Sequence, residues 1–219
     1  MNDSRAVLLD WDGVVSDSLP LYIEFYREVC RRYSRPLPVE TVEEFRDWYE
    51  PRWERNFYET GFSEQDFRDI LKLGETLLDY SRVPLFANIP EMLRRLASEW
   101  PVAIVSTCPT PMIRKRLAQE GLEGLFARIV GSDDGSTEKA SRVTRTLESL
   151  RAEEGVMVGD TPLDIEAGHA NGLGTIGVTY GWATARRVEA AGPCALVHRP
   201  ADLEGTIREV LGSRCRDRS

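Results

Sequence analysis

Apolar residues along this chain follow two regimes, and the change between them falls near Leu85. The run Ala6-Val-Leu-Leu9 leads into Asp10 and a glycine turn at Gly13, the pattern of a short buried strand. From Ser16 to Pro84 the spacing is helical instead. Tyr22, Phe25, Tyr26, Val29 and Tyr33 share a helix face, Arg35-Pro-Leu-Pro38 interrupts it, and residues 39–49 and 63–80 predict further helices. Ser63 is the expected N-cap of the last, with Phe67, Ile70, Leu71 and Leu77 facing inward.

Beyond Leu85 helices and strands alternate. Asn88-Ile-Pro-Glu91 opens a helix whose stripe is Ile89, Met92, Leu93 and Leu96. Val102-Ala-Ile-Val105 reads as a buried strand ending in Ser106-Thr107, followed by a helix capped at Thr110-Pro111 and stopped at Gly121. A strand at Arg128-Ile-Val130 precedes a polar loop, 131–137, and a helix turning Ala140, Val143, Leu147 and Leu150 inward. Val156-Met-Val158 runs into Gly159-Asp160 and a helix bearing Asp164; Thr175-Ile-Gly-Val178 and Ala195-Leu-Val197 are strands each followed by a helix. Such alternation implies a parallel sheet covered on both faces, with ligands bound beyond the carboxyl ends of its strands. The expected organisation is an α/β core from residues 1–15 and 85–212, a helical insertion at 16–84, and a polar tail at 213–219.

Composition sharpens this picture. Thirteen of the nineteen aromatics lie between residues 16 and 84, which supports a separate small core there. A net charge of −8 argues against a general binder of nucleic acid or anionic membranes. Cys30, Cys108, Cys194 and Cys215 form no CxxC pair, which points to a reducing compartment and away from structural zinc. No basic segment precedes a long apolar one, and no apolar run approaches the ~18 residues of a membrane span, so a cytoplasmic protein is expected. Neither a repeat nor a GxGxxG or GxxxxGK[ST] phosphate loop is present.

The candidate chemistry sits at strand ends. Asp10 and Asp12 leave the first strand on the same side, and such a pair suits a divalent cation, a proton-transfer task or a solvated turn. Ser106 and Thr107 end the second strand, Asp160 a later one, and Lys139, one of only three lysines, opens a helix between them. Were these ends adjacent, carboxylates, hydroxyls, turn amides and one amine would suit a phosphate ester bridged to magnesium. Asp17, Asp133 and Asp134 read as turn residues, Cys108 as a buried filler, and His169 as no ligand. Trp48, Tyr49 and Trp53 read as core of the helical insertion.

These pieces carry a resemblance. Asp10-Trp-Asp12-Gly-Val, Val105-Ser-Thr107, Lys139 and Gly159-Asp-Thr-Pro-Leu-Asp164-Ile-Glu-Ala-Gly-His-Ala-Asn-Gly172 resemble, in order, the haloacid dehalogenase superfamily. Within it the likeness is to phosphoglycolate-phosphatase-like hydrolases, whose Rossmann-like core carries a helical cap after the first strand. Gly177-Val-Thr-Tyr-Gly181 and Glu189-Ala-Ala-Gly192 are similar to the family's closing segment, so the likeness spans about Ala6 to Leu203.

The resemblance implies an aspartyl-phosphate mechanism. Asp10 would be the nucleophile and Asp12 the acid and then the base. Asp10, the carbonyl of Asp12 and Asp160 would hold magnesium. Ser106 and the Thr107 amide would bind phosphate with Lys139, and Asp164 would support the metal or orient Lys139. The implied substrate is a small phosphorylated metabolite enclosed between cap and core. A sugar-phosphate mutase shares this core. A dehalogenase needs no acid at the position of Asp12, and a phospho-accepting signalling domain is disfavoured by the large insertion. Three residues depart from the family pattern: Val14 for Thr, Asn88 for Gly in the hinge, and Ala140 for the Pro after the lysine. Oligomeric state leaves no trace in the sequence.

Overall fold

The computed structural model describes residues 4–136 and 138–213. Six strands form one parallel sheet in the order β3-β2-β1-β4-β5-β6: β1 Arg5–Leu9, β2 Val102–Val105, β3 Arg128–Val130, β4 Glu154–Gly159, β5 Gly174–Val178 and β6 Ala195–Val197. Side chains of β1 alternate between two hydrophobic clusters. Val7 and Leu9 enter one with Ile104 and Val158, while Ala6 and Leu8 enter the other with Val105 and Met157. Both faces of the central strand are therefore buried, which is why its sequence is a continuous apolar run rather than an alternating one. The strand order reverses between β1 and β4, and in such sheets the ligand crevice opens there, beyond the carboxyl ends.

No strand interrupts the chain between β1 and β2; the segment folds as α1 Leu19–Arg32, α2 Val42–Trp48, α3 Trp53–Glu59 and α4 Glu64–Leu77, then α5 Ile89–Ala97 returns to the sheet. Tyr26 centres the aromatic cluster of these helices, stacked on Phe57 at 4.7 Å and edge-on to Phe45 at 5.5 Å. Trp182, from the loop after β5, inserts into the same cluster, with Tyr22 at 4.6 Å and Tyr49 at 4.7 Å.

The sheet's remaining helices are α6 Thr110–Gln119, α7 Lys139–Leu150, α8 Pro162–Ala170, α9 Ala185–Ala190 and α10 Leu203–Gly212. Helix α9 clasps the end of α2. Arg187 donates from Nη1 to the carbonyls of Arg46, Asp47 and Tyr49 at 3.1, 3.2 and 2.7 Å, and from Nη2 to Glu50 at 2.8 Å. A guanidinium beside the last carbonyls of a helix satisfies orphan acceptors and complements the dipole.

Several local expectations change. Helix α3 has too short an apolar pattern to be read from the sequence. In α4 Ser63 is the N-cap, its amide and hydroxyl donating to Asp66, but Leu71 is 55% exposed and Leu73 packs inward instead. From Ile70 the inward stripe continues at Leu73 and Leu77, three and four residues on, whereas Leu71 is turned about 100° away. Helix α4 ends at Leu77, and Tyr80 lies in a short 3₁₀ turn, Tyr80–Arg82. Thr110 does not cap α6: it is the first helical residue, and Asp133 accepts from its amide at 2.7 Å. Asn88 has φ of 68°, the left-handed region in which Asn is tolerated and Gly preferred, so the hinge conformation open to glycine is open to Asn88 too. The end of the tail, with Cys215, and Thr137 lie outside the described residues.

Candidate active site

Five elements deliver the candidate residues to the β1/β4 crevice. Asp10 follows β1, its amide bonded to the Val158 carbonyl of β4 at 2.9 Å, and Asp160 follows β4. Ser106 follows β2, the neighbour of β1 on the other side. Lys139 is the first residue of α7, and Asp164 lies in the first turn of α8.

Lys139 is 3% exposed and ion-pairs with Asp10 Oδ1 at 2.9 Å and with Asp164 Oδ1. Burial disfavours its ammonium, but the two carboxylates outweigh burial and hold the amine above its ordinary range. Asp164 divides its oxygens: Oδ2 accepts from the amide and hydroxyl of Thr161 at 3.0 and 2.7 Å, capping α8, and Oδ1 faces Lys139. Asp10 Oδ1 accepts from Lys139 and from the Trp11 amide at 2.8 Å; Oδ2 carries neither bond.

One carboxylate oxygen from each of Asp10, Asp160 and Asp164 lies within 4.8 Å of the others, and all three residues are buried. Burial, chiefly, pushes the Asp10 carboxyl up to about 6, Lys139 working against it. Burial and then the charges of Asp164 and Asp10 push Asp160 well above the usual range, opposed by the Trp182 amide, which donates to its Oδ2 at 2.6 Å. With all three carboxyls ionised, the one ammonium would leave two negative charges in a desolvated place, which is why Asp10 and Asp160 are pushed toward their protonated forms. A divalent cation with hard oxygen ligands would neutralise them, so the donor set fits such an ion. The backbone fits closely around Asp160 too. Gly13 has φ of +76°, and a Cβ there would collide with the Asp160 carboxylate and crowd the Trp182 ring; a Cβ on Gly181 would collide with the same carboxylate.

Asp12 stands apart from this cluster. Ser18 Oγ donates to its Oδ1 at 2.5 Å, and the Tyr80 hydroxyl lies 3.0 Å from Oδ1 and 3.2 Å from Oδ2. Asp12 keeps some exposed surface, yet burial is the largest influence and pushes its carboxyl up to about 7; the Ser18 bond opposes this. A carboxyl in that range can both give and take a proton near neutrality.

Comparison with known proteins identifies the family. The sequence profile of the haloacid dehalogenase-like hydrolases matches residues 7–178. The chain belongs to that family.

Among haloacid dehalogenase-like relatives, the phosphoglycolate phosphatase of Pectobacterium atrosepticum is 35% identical over 124 residues, 54% of this chain and 53% of that protein. The chain thus spans about half the length of that relative. Over nearly full length, the phosphoglycolate phosphatase of Synechococcus elongatus is 26% identical across 217 residues, 94% of this chain and 99% of its own. A 5'-nucleotidase of Pseudomonas aeruginosa is 31% identical over 134 residues, 59% of each. The fold is shared with a haloacid dehalogenase-like hydrolase of Streptococcus pneumoniae, at a TM-score of 0.81 and 19% identity over 94% of this chain and 99% of that one.

In this member of the family the structure brings Asp10, Lys139, Asp160 and Asp164 into one cluster, with Asp12 two residues beyond Asp10 and Ser106 at the end of the neighbouring β2. Ser106 is buried, and its Oγ accepts from the Cys108 amide at 3.1 Å; Thr107 is exposed. Asp133 and Asp134 serve structure, the first at α6 and the second in ion pairs with Arg142 and Arg145. Cys108 is a buried free thiol. Trp48, Tyr49 and Trp53 pack against the helical cluster. His169 is exposed, its Nε2 3.1 Å from the Thr175 hydroxyl. Ser18, Tyr22, Tyr80, Arg142 and Trp182 were not singled out as functional. The tyrosines match the apolar pattern of a helix face, so their hydroxyls leave no trace in it. Arg142, buried, donates to the Ser106 carbonyl at 3.4 Å and the Ser136 carbonyl at 3.0 Å.

Proposed function

We propose that the chain is a magnesium-dependent phosphomonoesterase acting on a small phosphorylated metabolite, phosphoglycolate being one such compound. The observation that carries this is the separation of two carboxyls: Asp10 fixed by Lys139 and the Trp11 amide, Asp12 held apart by Ser18 and Tyr80. The names of the relatives support the substrate class.

In this reading Asp10 Oδ2, the oxygen free of both bonds, attacks phosphorus. The P–O bond to the leaving group breaks, and Asp12 gives that oxygen its proton, a transfer that contributes ~10²–10⁴ in rate. Asp12 then takes a proton from water; the hydroxyl attacks the aspartyl-phosphate, freeing inorganic phosphate and Asp10. Lys139 balances the charge gathered on phosphoryl oxygens, and Ser106 with the Thr107 amide holds them. Asp10, the Asp12 carbonyl and Asp160 would hold magnesium, with Asp164 behind them tied to Lys139 and Thr161. When bound, the ion supplies Lewis-acid polarisation and charge neutralisation.

A panel of phosphomonoesters with magnesium tests the reading. Stoichiometric inorganic phosphate carrying one oxygen from ¹⁸O-labelled water is expected. Interconversion of sugar 1- and 6-phosphates without phosphate release would replace hydrolysis by mutase chemistry.

A further inference from the structure

We infer that Tyr80 is a positioning residue that fixes the plane of the Asp12 carboxyl, with Tyr22 setting the direction of its hydroxyl; this rests on Asp12 being the acid of the proposed reaction. Of the two side-chain donors on Asp12, Ser18 meets Oδ1 alone, at 2.5 Å. A single bond to one oxygen leaves the carboxyl free to rock about its terminal torsion, which has a broad minimum. The Tyr80 hydroxyl touches both oxygens, at 3.0 and 3.2 Å, and so resists that rotation.

A phenol has one proton. The Tyr80 hydroxyl also lies 2.8 Å from the Tyr22 hydroxyl, so when it donates to the Asp12 carboxylate it accepts from Tyr22. The rings brace this arrangement, edge to face at 6.1 Å, and Tyr80 is 4% exposed. A buried phenol needs a partner; the Tyr80 hydroxyl meets both Asp12 oxygens and the Tyr22 hydroxyl, and the Cys108 thiol lies within its reach. The hydroxyl therefore serves the carboxyl, while the ring serves the packing. Replacing Tyr80 by Phe separates the two roles.

Tyr80→Phe should be compared with wild type on the best alkyl ester of the panel and on p-nitrophenyl phosphate. The alkyl alkoxide needs a proton to leave; nitrophenolate departs without one. The ratio kcat/KM reports the reaction up to that departure. Losing a hydrogen bond to a charged group should lower kcat/KM on the alkyl ester by ~10–100-fold, through kcat with KM unchanged. On p-nitrophenyl phosphate the loss should be under about threefold, since proton donation is not limiting there. Equal losses on both esters, or none on either, would overturn the inference. Asp12→Asn distinguishes this from failure of the underlying mechanism. If Asp12→Asn leaves the alkyl-to-aryl ratio unchanged, Asp12 is not the acid; if it shifts the ratio and Tyr80→Phe does not, the inference alone fails. Should Tyr80→Phe not fold, Tyr22→Phe removes the donor behind it and should shift the ratio the same way by several-fold; no shift overturns the inference.

Discussion

Lys139 is the sharpest place to perturb the site. Its Nζ lies 2.9 Å from Asp10 Oδ1, beside Asp164 and with almost no water access. At the effective dielectric of ~20 suited to protein sites, one such contact is worth about 6 kcal/mol of gross Coulomb energy before desolvation. Removing one partner of a buried pair typically costs ~3–5 kcal/mol, because the other charge stays buried and unpaired. Lys139→Met should therefore lower Tm in the metal-free protein as well as abolish charge balance around the phosphate. For turnover the relevant loss is that of a preorganised charge, at least ~100-fold in kcat/KM. Lys139→Arg should lose as much, since a planar fork cannot occupy the place of a compact ammonium between two carboxylates. Lys115→Met, on an exposed position of α6, should match wild type. The assay is phosphate release with magnesium, alongside circular dichroism to establish folding. A folded Lys139→Met protein with near-wild-type turnover would refute the reasoning.

Other outcomes follow from the same geometry. Chelation should abolish phosphatase activity and magnesium restore it, with calcium a poor substitute because its larger, looser shell misplaces the nucleophile; full turnover by chelated enzyme would remove the metal from the mechanism. Without metal, the carboxyls of Asp10 and Asp160 titrate above their unfolded value, so between pH 4 and 6 the folded state binds more protons than the unfolded one. Thermal stability of the chelated protein should then fall as pH rises through about 6, and magnesium should flatten that slope; a chelated protein that gains stability over this window would contradict it. Gly13→Ala meets both a positive φ and the Asp160 carboxylate, and should cost at least ~1–3 kcal/mol by denaturant titration together with most of the activity. Arg187→Ala frees three carbonyls at the end of α2 and should lower stability by ~1–3 kcal/mol; an unchanged Tm would show that water replaces the clasp.

How much of this was legible depended on the kind of information a residue carries. The strands were readable because a parallel strand buried on both faces must be continuously apolar, as at Leu8 and Ile104. Asp10, Asp160 and Ser106 were readable because a polar residue directly after such a run marks a strand end. Helix α3 was not, since seven residues carry too little period to register. The inward face of α4 went astray by one residue at Leu71, where a short window cannot separate neighbouring stripes. Tyr80 was hidden differently: its ring satisfies the hydrophobic pattern, and only three-dimensional placement reveals what its hydroxyl meets. The two roles offered for Asp164 needed coordinates too, because one oxygen serves the helix cap and the other the lysine.

Trp182 joins two parts of the molecule that the chain keeps far apart. Its amide holds Asp160 at the end of β4, while its indole sits between Tyr22 and Tyr49 among the insertion helices. Any swing of those helices away from the sheet must withdraw their rings from this indole or drag the loop, and Asp160 with it. The residue thus acts as an internal optical gauge: in a chain whose other four tryptophans are replaced, emission from Trp182 would register any opening and closing beside Asp160 without an added label.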